Sequence, residues 1–287
     1  MQRFLNFFIF CLILINLKHV YALQSNWNDG LEAKVQIISP YTHNNNDSLI
    51  YLGLRYKFQE GWKTFWRSPG ETGFPQELDW SKSKNVSDVE ILWPVPSEFE
   101  ILGTKSIGYQ KETVFPLKVK LKNINQETFF SFNINFLICN DICIPGNAHL
   151  ELTLPPGEGN ITDHYFDIEK SLSLVPKKNL NISRLENVSV KAISDNNYVS
   201  IIIDATSQDI FINPRFYLYT EFGLPFVFPD IDYSTDYKNV IAKFNFDKKL
   251  ILKDKFNLGL ILKDNNKAYD FANEIDIEII KKVIVQN

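Results

Sequence analysis

The chain has 287 residues, 45% hydrophobic and 22% charged, the balance of a globular protein and not of a disordered one. Thirty basic residues against 34 acidic ones leave a net charge of −4, which excludes a strongly basic nucleic-acid binder. Aromatic residues make up 14%, and together with the β-branched residues they favour strands over a helical bundle.

Residues 1–22 read as a secretory signal peptide. Arg3 supplies the positive start, Phe4 to Leu17 the apolar run, and Val20-Tyr21-Ala22 a small-x-small cleavage site ending at about Ala22. The run is about 14 residues, short of the ~20 that span a bilayer. Cleavage removes Arg3, Lys18 and Cys11, leaves Cys139 and Cys143 as the only cysteines, and delivers the chain to an oxidising compartment. Sequons stand at Asn46, Asn85, Asn160, Asn181 and Asn187; in so Asn-rich a chain they read as chance.

The next block, 23–156, carries short strand-like runs between turn signals. Ala33–Ile38, Leu49–Phe58, Val89–Trp93, Val114–Leu121 and His149–Leu154 read as strands. Phe129–Cys139 alternates with Phe130, Phe132, Ile134, Phe136 and Ile138 on one face. Trp62–Gln76 is dense in aromatics, Gly and Pro; it reads as a strand end and turn that pack Trp62, Phe65 and Trp66 into the core, with a partner-binding or site-shielding loop as the alternative. Phe99–Gly108 shows no clear alternation and reads as a loop with an apolar tip or an irregular strand.

Pro155 to Gly159 ends that block. Residues 157–180 read as a connector with one short helix over about Thr162–Leu174, capped by Thr162 or Asp163. The last block, 181–287, shows further strands at Val188–Ala192, Tyr198–Ile203, Arg215–Thr220, Val240–Phe246 and Leu258–Leu262. Asp195-Asn196-Asn197 and Asp264-Asn265-Asn266 supply hairpin turns. The expected fold is all-β: two immunoglobulin-like β-sandwich domains joined by the connector.

The chemistry lies in Cys139-Asn140-Asp141-Ile142-Cys143-Ile144-Pro145-Gly146. Residues four apart on a straight strand are ~13 Å apart, whereas a disulfide needs Cα atoms within ~7 Å. The chain must therefore turn, and Asn140-Asp141 and Pro145-Gly146 offer turn chemistry. A five-residue ring stabilises by only ~2 kcal/mol in the chain-entropy model. That is a weak staple, so the spacing favours an exchangeable pair over a structural one. Asp141, between the two thiols, would disfavour a thiolate. A competing reading adds His149 as a third ligand to make a metal site; a copper-handling or purely binding module stays open on this ground.

Several motifs together resemble the N-terminal periplasmic region of DsbD-like and ScsB-like disulfide reductases. They are Gly61-Trp62-Lys63-Thr64-Phe65-Trp66-Arg67-Ser68-Pro69-Gly70, Gly73-Phe74-Pro75, Leu78-Asp79-Trp80, Trp93-Pro94-Val95-Pro96, Gly108-Tyr109, Cys139-x-Asp141-x-Cys143-x-Pro145 and, more weakly, Asn213-Pro214-Arg215-Phe216. The resemblance implies a periplasmic domain that takes electrons from a membrane-linked thioredoxin-like module and passes them to oxidised proteins. Cys143 would attack the partner disulfide and Cys139 would resolve it, with Asp141, Pro145 and Tyr109 in support. A cap over the pair is placed at Phe99, Ile101 and Leu102. No cofactor is implied. The chain lacks the membrane and thioredoxin-like regions, so a separate DsbD-like membrane donor is expected, with oxidised thioredoxin-fold or peroxiredoxin-type proteins as acceptors.

Overall fold

The computed structural model describes residues 22–281, except 31, 70–72, 102, 179–183, 221–223, 225–226, 252–254 and 272–274. The expected signal peptide, apart from Ala22, and the cap residue Leu102 lie outside the described residues.

Eleven strands come first: β1 (Asn28–Asp29), β2 (Ala33–Ile38), β3 (Leu49–Phe58), β4 (Lys63–Phe65), β5 (Glu77–Asp79), β6 (Val86–Ile91), β7 (Ser97–Ile101), β8 (Thr104–Gln110), β9 (Glu112–Leu121), β10 (Thr128–Cys139) and β11 (Cys143–Leu154). They make two sheets, ordered β1-β2-β3-β9-β6 and β11-β10-β4-β8-β7, with β5 beside β10. Alternation decides how the sheets face each other. Leu52, Leu54 and Tyr56 of β3 and Phe115, Leu117 and Val119 of β9 are fully buried, as are Phe130, Phe132 and Ile134 of β10. Tyr56 of one sheet meets Phe136 of the other edge-on, with ring centroids 5.3 Å apart. Each such aromatic side chain contributes about 1.5–3 kcal/mol by burial. This is an immunoglobulin-like sandwich.

The connector helix α1 (Tyr165–Ser173) lies on the outside of the first sheet. Arg55 of β3 pairs with Asp167 at 2.9 Å, and the Ser171 hydroxyl donates to the Val114 carbonyl. The cap differs from expectation: His164 occupies the cap position and its side chain makes no capping bond. The Thr162 hydroxyl is already committed to the Ser39 carbonyl, and it accepts the N–H of the cap residue His164 itself at 3.2 Å, from two residues ahead of the cap.

The rest of the chain adds β12 (Lys177–Lys178), β13 (Leu185–Ser194), β14 (Tyr198–Ser207), β15 (Arg215–Tyr219), β16 (Asp230–Tyr233), β17 (Asn239–Asp247), β18 (Lys255–Asp264), β19 (Lys267–Asp270) and β20 (Ile275–Lys281). They form one hydrogen-bonded sheet, β12-β19-β18-β20-β13-β14-β17-β16, with β15 on β18. β20 runs parallel to β13 and antiparallel to β18, joining the two layers of this second core. The Asp195 turn forms as its chemistry suggests, with Oδ1 accepting from the Asn197 and Tyr198 N–H groups at 2.8 Å each.

The β15–β18 ladder is buried on both faces. Phe216, Leu218, Leu258, Leu260 and Leu262 face the second core, whereas Tyr217 and Ile261 join the core of the first sandwich. There the Trp66 ring lies 6.2 Å from Tyr217 and 5.9 Å from Tyr219. Arg67 pairs with Asp270 at 3.0 Å, its guanidinium 3.8 Å from the Tyr219 ring centroid. The two halves of the molecule therefore meet through packed side chains.

Candidate functional site

The alternation that sends Phe136 and Ile138 inward sends Leu137 and Cys139 to the opposite, outer face of the sheet. β10 ends at Cys139 and β11 begins at Cys143, and the two residues stand opposite each other in the antiparallel register. The Asn140 N–H donates to the Ile142 carbonyl at 3.0 Å and closes the turn. The next pair outward is then a non-hydrogen-bonded one, the position at which opposed Cα atoms approach most closely. Here they are 4.1 Å apart, and Cys139 and Cys143 are joined by a disulfide.

The turn uses Asn140, Asp141 and Ile142 alone. Pro145 and Gly146, expected to help it, are residues of β11 opposite Leu137 and Phe136. β11 is an edge strand, where a missing N–H is tolerated. Gly146 gives space to its neighbour: a Cβ there would lie 2.3 Å from the Phe136 ring. On the other side, Gly61 (φ +84°) turns the chain against the Asn140 side chain, which a Cβ would meet at 3.0 Å.

A small apolar cluster covers the disulfide, separate from the main core. Phe65, Ile101 and Cys139 are buried in it, and Phe99, Leu137 and Cys143 are partly buried against them. Phe65 comes from β4, two residues beyond Lys63, which pairs directly with Cys139. Residues two apart on a strand share a face, so Lys63, Phe65 and Cys139 stand on the same outer surface. The Lys63 ammonium donates to the Gly61 carbonyl at 3.0 Å and lies 5.8 Å from the centroid of the Phe99 ring. Phe99 and Ile101 belong to a hairpin, β7–β8, whose tip pairs Ile101 with Thr104. What the sequence left as a loop or an irregular strand is thus a two-stranded flap over the disulfide.

The two cysteines are not equivalent. Cys139 is 0% exposed, whereas Cys143 is partly open to solvent next to Ile142, whose side chain is 60% exposed. Asp141 is exposed at the turn. Tyr109, expected in support, is in the main core instead: its ring meets Phe115 at 4.7 Å and its hydroxyl donates to the Pro94 carbonyl at 2.6 Å. Burial pushes its phenol well above the usual range. His149 lies six residues along β11 from Cys143, about 20 Å away on an extended strand. It engages Asn133 and Glu151 and so supplies no third ligand to the cysteine pair. Sequence reasoning did not single out Lys63, and it preferred the main core for Phe65 over a shielding role, whereas Phe65 belongs to the cover. Both are cross-strand neighbours of Cys139, a relation fixed by pairing and invisible in local pattern.

Residues 34–155, which contain the flap and both cysteines, match the family model described as thiol:disulfide interchange protein DsbD, N-terminal. No curated protein matches the sequence. The chain is similar to the crystal structure of the N-terminal periplasmic domain of ScsB from Proteus mirabilis. The likeness has a TM-score of 0.70 at 21% identity and covers 90% of this chain and 99% of that one. At that identity it is a likeness of fold, and it extends across both halves of the molecule.

Proposed function

We propose that the protein, whose residues 34–155 match the model of the DsbD N-terminal family, is a periplasmic thiol–disulfide exchange protein working through Cys139 and Cys143. In the reduced protein, the Cys143 thiolate attacks a sulfur of an oxidised partner and expels the other partner sulfur as a thiolate. The resulting mixed disulfide is resolved when Cys139 attacks the Cys143 sulfur. The Cys139–Cys143 bond forms, the partner leaves reduced by two electrons, and this protein is oxidised by two. A thioredoxin-type donor resets the pair by attacking at Cys143. Export by cleavage at about Ala22 brings the pair to this compartment.

The observation that carries the reading is the asymmetry of the pair: Cys139 fully buried and Cys143 only partly, in register beneath an apolar flap. Only Cys143 meets a partner without the flap being displaced far. Phe99 and Ile101 keep small oxidants and thiols from the bond.

The reading is tested by mixing the oxidised protein with a reduced thioredoxin-type donor and counting free thiols over time. Two thiols appearing per molecule, with loss of the Cys139–Cys143 bond, are expected. A disulfide that the donor leaves intact under conditions where it reduces other protein disulfides would refute the proposal.

A further inference from the structure

Alternation on β7 gives the flap two sides. Phe99 and Ile101 face the disulfide, and Glu98 faces the other way. There its carboxylate accepts from the Tyr217 hydroxyl at 3.4 Å and lies 3.6 Å from Nε of Arg215, both on β15 of the C-terminal sheet. On the second strand of the flap, the Lys105 ammonium sits 4.5 Å from the centroid of the Phe228 ring. Both strands of the flap are therefore held by residues more than a hundred positions away in the chain.

The holding residues are themselves anchored. Tyr217 is buried and its ring packs on Trp66, the residue after Phe65 of the disulfide cover. Arg67 then ties the same stretch to Asp270. Burial, and after it the Glu98 carboxylate, raises the Tyr217 phenol, which stays protonated and remains a donor. The grip on the flap is of a different kind: the Arg215 and Glu98 side chains are 43% and 26% exposed. Ion pairs this open shift an equilibrium only severalfold, so they restrain the flap without locking it.

We infer that the C-terminal sheet is a clamp on the flap, with Arg215, Tyr217 and Phe228 as positioning residues that set how often Phe99 and Ile101 lift from the Cys139–Cys143 bond. This rests on the exchange reading above and gives the C-terminal half a part in the same reaction. The clamp touches neither sulfur. It acts on the rate at which any thiol reaches the pair.

The oxidised protein, Glu98→Gln, Arg215→Met, the exchanged pair Glu98→Arg with Arg215→Glu, and Phe99→Ala are each treated with excess dithiothreitol. Released thiols are counted after a mass-tagging quench. Each event closes dithiothreitol into its cyclic disulfide and places two electrons and two protons on the cysteine pair. Glu98→Gln and Arg215→Met should be reduced about two- to fivefold faster than the parent at an unchanged thermal midpoint. The exchanged pair should return to within about twofold of the parent rate, which a general loss of structure would not allow. Phe99→Ala should be the fastest, because it removes part of the cover itself. Single variants that react at the parental rate, an exchanged pair as fast as either single variant, or a Phe99→Ala no faster than the parent would each overturn the clamp. The exchange reading fails separately, if a thioredoxin-type donor does not reduce the parent protein at all.

Discussion

Reducing the Cys139–Cys143 bond should cost the fold little. The ring closed by the bond holds five residues, for which the chain-entropy model gives about 2 kcal/mol. No compensating burial is lost on reduction, because the Cys139 thiol keeps its place against Phe65 and Ile101. The turn stays closed by the Asn140–Ile142 hydrogen bond and by the β10–β11 ladder running to Thr128 and Leu154. A loss of about 2 kcal/mol in a chain of this size lowers the thermal midpoint by about 4–8 °C, against a total stability on the order of 5–15 kcal/mol. The assay is calorimetry or urea unfolding of the oxidised protein and of protein held reduced with a phosphine, with alkylation confirming the thiol count. A reduced protein that fails to fold, or a loss above about 5 kcal/mol, would show that the pair is a staple and would refute the reasoning from ring size.

Three further outcomes are expected. Tyr109→Phe leaves the buried Pro94 carbonyl without its donor and should cost about 1–3 kcal/mol. Exchange per folded molecule should be unchanged, so a lost rate at intact stability would return Tyr109 to the site. Ile142→Asp places a charge on the exposed apolar residue beside Cys143 and should slow exchange with a protein donor roughly tenfold, while leaving reduction by dithiothreitol unchanged; equal effects on both would contradict docking there. Burial, and after it the Arg55 guanidinium, lowers the His164 pKa from 6.5. The unfolded chain therefore binds the proton first. The stabilisation is complete above pH 6.5 and is lost as pH falls below 6.5 through the folded-state value. Unfolding midpoints of the parent and His164→Asn should converge toward acid pH, and parallel curves would exclude that histidine.

The parts of this account that rest on period and turn chemistry were legible in the sequence. The run from Phe129 to Cys139 states by alternation which residues enter the core, and the same parity puts Cys139 on the outer face. The turn needed between the cysteines follows from a short stretch of chain, whereas the cap at Phe99 and Ile101 was placed by the resemblance to the DsbD N-terminal family and not by any pattern of those residues. What depends on which strands pair was not legible. Lys63 meets Cys139 across a ladder, and Phe65 comes with it. Pro145-Gly146 looks like a turn because its residue types favour turns, yet an edge strand accepts the proline and the Phe136 ring needs the glycine. Tyr109 sits beside a site motif in sequence, but the pleat turns its ring to the main core. The C-terminal half offered no chemistry of its own, because its contribution is made through contacts of Arg215, Tyr217 and Phe228 with a hairpin far away in the chain.

The central claim is that the partly buried Cys143 attacks and the fully buried Cys139 resolves. Cys139→Ala and Cys143→Ala, each incubated with an oxidised thioredoxin-fold partner and resolved on non-reducing gels, test it most directly. The account predicts a stable mixed disulfide through Cys143 in Cys139→Ala and at most a trace in Cys143→Ala, where the remaining sulfur is buried. Equal trapping by the two variants, or trapping through Cys139 alone, would contradict it.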